Sequence, residues 1–261
     1  MSVWGIAMVK DEIDIIGYTV RRMLGQVDQV LVADNGSTDG TRELLDDLAV
    51  EIAREGGSQR LYVTDDREPG YYQSAKMTAL AAEAAGLGAS WVVPFDADEV
   101  WGSQWGRVAD VLAGLPPTEA VAPAVIFDHV TTDRDDQAIA DPTVRIRRRR
   151  QQALPLPKVA ARPRVPVIIE QGNHGARYLI EPTPHPVLWV RHFPYRSGEQ
   201  FVSKVRNGAA AYAATDLPDD QGAHWRQYGA ILRDSGPEVL VRDVYLRWFH
   251  NGPDLVNDPC P

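Results

Sequence analysis

The sequence predicts an α/β fold, a mostly parallel sheet covered by helices on both faces. Two observations carry this expectation. Strand-length apolar runs alternate with helix-period segments over the first hundred residues, and acidic side chains recur where those runs stop. "VWGIAMV" (3–9) reads as a buried strand. In "DEIDIIGYTVRRMLGQ" the apolar residues Ile13, Ile16, Val20, Met23 and Leu24 have helical spacing behind acids in the first turn. "VDQVLVADNG" (27–36) is a second strand closing on turn residues, and "STDGTRELLDDLAV" is an amphipathic helix with Ser and Thr as caps. "LYVTDD" (61–66) supplies a third strand, "QSAKMTALAAEAAG" an Ala-rich helix and "WVVPFDAD" a fourth strand. Further on, "AVAPAVIF" (120–127) is a strand candidate and "GEQFVSKVRNGAAAYAA" a helix candidate, while the tail "NGPDLVNDPCP" reads as poorly ordered. With no internal repeat and no clear linker, a single domain over residues 1–261 is expected.

Composition narrows the function. A net charge of −9 over 261 residues argues against a chain that coats nucleic acid or anionic lipid. The lone cysteine, Cys260, excludes an intrachain disulfide and a Cys-based metal site, and suits a reducing compartment. The N-terminus lacks the basic-then-apolar pattern of a signal peptide, and no apolar run has the ~18 residues needed to span a bilayer. A cytoplasmic location is therefore expected.

In parallel α/β sheets ligands bind beyond the carboxyl ends of the strands. Asp34, Asp66, Asp96 and Asp98 all fall at such ends. Asp96 and Asp98 stand two apart, with Glu99 next; in an extended strand they would point the same way. Carboxylates that close need a cation to stay ionised together, and a hard divalent ion, Mg²⁺ or Mn²⁺, suits an oxygen set. A solvated acidic strand end is the plainer alternative.

"VLVADNGSTDGT" resembles the "DDGSTDGT" signature of glycosyltransferase family 2, and "PFDADE" resembles the Asp-x-Asp motif of the GT-A fold. "MVKDEIDII" is similar to that family's first strand and turn, with Asp11 where Asn is usual before Glu12. "REPGYYQSAKMTALAAEAAGLGASW" is similar to the helix before the motif, with Lys76 where Arg is common. The resemblance implies a GT-A, Rossmann-like sheet with a mixed-sheet C-terminal half. Residues 1–101 would form the nucleotide-sugar-binding half and 102–250 the acceptor-binding half, leaving 251–261 as a tail. It implies a metal-dependent transferase moving a sugar from a nucleoside-diphosphate sugar, UDP-linked at the family level, to an acceptor hydroxyl with inversion. Asp34 and Asp66 would orient the nucleoside, helped by Asp11, Glu12 and Lys76; Asp96 would meet the ribose or a metal-bound water, and Asp98 would hold Mn²⁺ or Mg²⁺ on the diphosphate.

"VRHFPYRSGEQFVSKVRNG" resembles a late segment of related transferases in which a His adds a metal ligand. By that likeness the metal set is Asp96, Asp98 and His192, with Arg196, Ser197 and Lys204 near phosphate oxygens. For the base that deprotonates the acceptor, imidazole near pKa ~6.5 is well matched, which makes His174 a candidate beside the carboxylates Glu170 and Glu181, with Asp128 more distant. The basic run Arg145–Arg164, Lys158 included, reads either as a solvated edge face or as a contact for an anion. Trp101 and Trp105, just past the acidic motif, are candidate sugar-stacking faces. The acceptor stays open among saccharide, lipid-linked intermediate, protein and modified nucleobase. Two other readings stand beside the transferase: a nucleotidyltransferase, disfavoured by the lack of Gly in the first loop, and a non-catalytic nucleotide-sugar-binding module.

Overall fold

The computed structural model describes residues 1–163, 167–177 and 188–260. In chain order the strands are β1 (Val3–Val9), β2 (Gln29–Asp34), β3 (Leu61–Asp65), β4 (Trp91–Pro94), β5 (Glu99–Ser103), β6 (Val121–Asp128), β7 (Arg148–Arg150), β8 (Lys158–Ala161), β9 (Ile168–Ile169), β10 (Ala176–Arg177), β11 (Leu188–His192) and β12 (Leu255–Asn257). The helices are α1 (Ile16–Gln26), α2 (Thr41–Arg54), α3 (Gln73–Gly86), α4 (Val108–Gly114), α5 (Pro142–Arg145), α6 (Gly198–Ala213), α7 (Ala223–Ser235), α8 (Pro237–Leu240) and a wide, π-type helix α9 (Val241–Phe249). These residues fall into two compact units.

The first unit comprises Met1–Arg67, Gln73–Phe127 and Gln152–His192. It is built on an eight-stranded sheet in the order β3-β2-β1-β4-β8-β6-β11-β5. The β3-β2-β1-β4 half is parallel, as the strand–helix alternation predicts. Beyond β4 the pairings of β8 with β4 and β6, and of β11 with β5, are antiparallel. Period-two alternation sorts the parallel strands between two cores: Val30 and Val32 of β2 join Val20, Met23, Leu45 and Ile52 of α1 and α2 on one face, while Leu31 and Ala33 join Met77, Leu80 and Ala84 of α3 on the other.

Two local expectations are corrected here. Helix α1 begins at Ile16 after a turn from Glu12, so the acids at Glu12 and Asp14 precede it. The residue capping α2 is Gly40 in the left-handed region (φ 98°) rather than Ser or Thr; a β-carbon there would lie 2.9 Å from Ile13.

The second unit comprises Glu68–Tyr72, Asp128–Gln151 and Phe193–Pro261. Phe201, Val202 and Val205 of α6 pack with Leu240 of α8 and with Val244 and Tyr245 of α9 in its core. The tail is ordered into structure after all. Leu255, Val256 and Asn257 pair antiparallel with Arg150, Arg149 and Arg148, and Arg149 Nε lies 3.0 Å from Asp258. The basic strand β7 is thus paired along one side, its side chains half-buried.

Candidate active site

Strand β4 stops at Pro94, and Glu99 N–H donates to the Asp96 carbonyl (3.0 Å), closing a turn from which β5 departs. The two aspartates therefore do not share one face of a strand, as extended geometry would require; they diverge from a turn. Asp96 meets β8 and Asp98 meets β11.

A positive partner of this acidic cluster is Lys158, which is 4% exposed. Its Nζ lies 2.7 Å from Asp96 Oδ2 and 2.9 Å from Glu99 Oε1. Strand register explains the meeting. Val92 of β4 pairs with Ala161 of β8, and counting back to Lys158 on one strand and forward to Phe95 on the other sets Lys158 beside the acidic turn. Burial alone would depress the ammonium, but Asp96 and Glu99 outweigh it and hold Lys158 above the usual lysine range. Burial pushes Glu99 up, while the Lys158 charge pulls it back. The reading of Lys158 as part of a solvated basic face is thereby corrected. Arg162 is buried as well, 4.4 Å over the Trp91 ring and bonded to the Glu119, Leu115 and Pro116 carbonyls.

The other oxygen of Asp96, Oδ1, accepts from Gln73 Nε2 (3.2 Å) and Asn173 Nδ2 (3.3 Å). Gln73, first residue of α3, also accepts from Gly172 N–H through Oε1 (2.7 Å). Gly172 and Asn173 both take left-handed conformations (φ 73° and 56°), which turns the chain sharply and leaves Asn173 with no exposed surface. Ser74 fastens the same turn to α3, bonding Gln171 Oε1 and the Ile169 carbonyl. Gln73, Asn173 and Lys158 are the residues that sequence reasoning missed. The one signal was a Lys opening the short apolar run "KVAA".

That turn presents His174. Its Nδ1 lies 2.8 Å from the Pro157 carbonyl, which only accepts, so Nδ1 carries the hydrogen and Nε2 is the unprotonated nitrogen of the neutral ring. Burial pushes the imidazole below its ordinary value, and the Lys158 charge acts in the same direction. Glu170 stands at the start of the turn, its N–H bonded to the Gly175 carbonyl. Glu181 lies outside the described residues.

His192 ends β11, whose antiparallel register sets it opposite Glu99 of β5. Its Nε2 is 3.7 Å from Oδ1 of Asp98, a carboxylate only 2% exposed. Among the described residues no three His, Cys, Asp or Glu side chains form a ready-made metal cage. Asp98 and His192 are a carboxylate–imidazole pair of the kind Mn²⁺ accepts, and they could serve as two ligands of an ion that takes the rest from water or a bound phosphate.

The remaining strand ends lie on the same rim of the sheet. Val9, Asp34 and Asp65 are register partners on β1, β2 and β3. Asp34 Oδ2 accepts from the N–H groups of Gly36 and Ser37 (both 3.1 Å), whereas its buried Oδ1 has no hydrogen-bond partner among the described residues. Asp66 is held by Lys76 Nζ (2.7 Å) and Asn35 Nδ2 (2.8 Å). Asp11 Oδ1 accepts from Thr38 N–H (2.7 Å), and Glu12 N–H donates to Thr41, so these two tie the first loop to the second. Arg196, Ser197 and Lys204 belong to the second unit. There Arg196 is buried with Nη1 on the Phe193 carbonyl, Ser197 caps α6 by accepting from Gln200 N–H, and Lys204 is half-buried on α6. Trp101 is enclosed in the core and offers no face to a sugar, whereas Trp105 is 62% exposed.

In an α/β sheet of this kind ligands bind beyond the carboxyl ends of the parallel strands, the rim on which these carboxylates lie. Residues 6–164 match the sequence profile of Glycosyl transferase family 2, and the chain belongs to that family, whose reaction is glycosyl transfer. Among solved structures the chain is similar to the mannosyltransferase PcManGT from Pyrobaculum calidifontis in complex with GDP-Man and Mn²⁺. That likeness has 19% identity and a TM-score of 0.43, covering 92% of this chain and 72% of that one. It is also similar to a protein described as a glucose-1-phosphate thymidylyltransferase from Bacillus anthracis in complex with a sucrose, at 11% identity and a TM-score of 0.33, covering 90% and 84%. No curated protein matches the chain. No described helix is long and apolar enough to cross a membrane.

Proposed function

We propose that the protein transfers a sugar from a nucleoside-diphosphate sugar, UDP-linked in the first instance, to an acceptor hydroxyl with inversion, assisted by Mn²⁺ or Mg²⁺. The observation that carries this reading is the buried Asp98 carboxylate 3.7 Å from His192 at the end of the acidic turn. Asp98 and His192 would hold the divalent ion, which supplies charge stabilisation to a departing nucleoside diphosphate. Asp34 and Asp66 are assigned to hydrogen bonds from the nucleoside, with Lys76 fixing Asp66. Asp96, held by Lys158, Gln73 and Asn173, is assigned to contact with the ribose. Nε2 of His174 takes the proton of the acceptor hydroxyl as that oxygen attacks the anomeric carbon from the face opposite the leaving group. Neutral at pH 7 and oriented by Pro157, this nitrogen is the stronger candidate beside Glu170 and Glu181. Residues 1–101 and 102–250 are assigned to donor and acceptor binding.

The test is incubation with UDP-sugars and Mn²⁺, following nucleoside diphosphate release and the anomeric proton of the product by NMR. Release of a nucleoside diphosphate with an inverted anomer is the expected result. Release of pyrophosphate from a nucleoside triphosphate would mean a nucleotidyltransferase, and tight binding without turnover a binding module.

A further inference from the structure

We infer that one face of β7, Arg148 and Arg150, together with Arg247 and the exposed ring of Trp248, is a docking surface for an anionic saccharide chain. The surface lies within the second unit, and the inference goes beyond the donor and metal reading above without depending on it.

The basic run was open to two readings, a charged edge that discourages strand pairing or a contact for an anion. The structure removes the reason for the first. Strand β12 pairs with β7 along one side, and Val130 N–H donates to the Arg148 carbonyl (2.8 Å) on the other. Alternation then sorts the three arginines. Arg149 turns to Asp258 (3.0 Å), so Arg148 and Arg150 share the opposite face. Among the described residues neither has an ion pair. Arg150 Nη2 donates to the Trp248 carbonyl (2.8 Å), which ties this face to the end of α9. There Trp248 is 58% exposed, and the Arg247 guanidinium lies 5.2 Å from its ring centroid. Arg247 likewise has no ion pair among the described residues, Asp243 being held by Arg242 at 2.7 Å. Three guanidinium groups on adjoining elements thus stand beside an exposed indole.

Each part has a chemical counterpart. A guanidinium presents a planar fork that fits a carboxylate or a phosphate, and it is most available where no protein acid competes for it. An indole face packs against the C–H groups of a pyranose ring. Sugar rings that carry acid groups meet both at once, and sugars are what the family handles. An anionic bilayer would use the arginines but needs an apolar helix face, which one tryptophan does not supply. Single-stranded nucleic acid calls for a series of aromatic platforms along a basic groove, and one indole stands here.

The test is affinity electrophoresis in native gels containing polygalacturonate, dextran phosphate or neutral dextran, with an oligothymidylate and phosphatidylglycerol vesicles assayed alongside. Wild type should be retarded by at least one acidic glycan and not by neutral dextran, and the retardation should fall as salt rises. Which gel retards tells a carboxylate source from a phosphate one. Arg148→Gln, Arg150→Gln and Trp248→Ala should each weaken binding about 10-fold. Arg233→Gln, which removes the same charge from an ion-paired side chain on α7, should leave it within about 2-fold. Arg148 has no side-chain hydrogen bond among the described residues, so its variant decides if Arg150→Gln fails to fold by circular dichroism. No retardation by either acidic glycan, or equal retardation of Arg148→Gln and wild type, would overturn the inference. So would tighter binding to the oligothymidylate or the vesicles than to the glycans. Asp98→Asn should be retarded like wild type. Glycan binding by a protein that turns over no UDP-sugar would sink the transferase reading and leave this one standing.

Discussion

Glu99 is 1% exposed and has its ammonium partner at 2.9 Å, while Asp96 shares the same Nζ. Removing one member of a buried pair leaves an uncompensated charge, at a cost of about 3–5 kcal/mol. Lys158→Ala should therefore lower the urea midpoint by a corresponding amount, and the same loss should not follow Arg147→Ala on an exposed side chain. At His174, Ala substitution should slow transfer by about 10²–10⁴ with little change in donor affinity. Its imidazole has a lower pKa folded than the ~6.5 of an unfolded chain, because burial disfavours the charged ring. The ring is thus mainly unprotonated at pH 7, and with His174 as the proposed base the acid limb of the rate should lie below pH ~6.5. The same shift makes its stability contribution complete above the unfolded value and lost as pH falls through the folded one. At this scale the sequence was informative where signals were local. Asp34, Asp66 and Asp98 lie at strand ends, and His174 and His192 lie close to the acidic turn. Lys158 was illegible because its partner is 62 positions away and its neighbours form an Arg- and Pro-rich run that reads as surface.

Among the elements, the turn at Gln171–Asn173 most directly shapes the site. A β-carbon on Gly172 would lie 2.5 Å from the His174 ring, and the left-handed φ there disfavours any other residue. Gly172→Ala should cost about 1–2 kcal/mol from backbone conformation alone and displace His174. The checks are a lowered melting temperature together with a fall in kcat at unchanged donor affinity; unchanged kcat would count against His174 as the proposed base. Periodicity revealed α1, α2, α3 and α6 because each buries an apolar stripe. It did not reveal this turn or the Asp96–Glu99 turn, whose hydrogen bonds are made partly by side chains distant in sequence.

For the molecule as a whole, the parallel half of the sheet was readable because β1, β2 and β3 are each followed by a helix. The antiparallel half was less so. Strands β8 and β11 are short and arrive from far along the chain to flank β4 and β5. They carry Lys158 and His192, so the part of the fold hardest to read is also the part that completes the candidate site. Membership of glycosyl transferase family 2 over residues 6–164 gives glycosyl transfer as the type of reaction, and the turn between β4 and β5 is where the proposed metal would sit. The central claim is that this turn holds a divalent ion for a nucleotide donor. The measurement that tests it most directly is the thermal stability of wild type and Asp98→Asn with UDP, GDP, CDP and dTDP, each with Mn²⁺ and with chelator. A nucleotide at 100 times its dissociation constant should stabilise the wild type by about 2.7 kcal/mol with Mn²⁺, and the gain should vanish on chelation and in Asp98→Asn. Stabilisation by no nucleotide, or by one that persists unchanged in Asp98→Asn, would contradict the account.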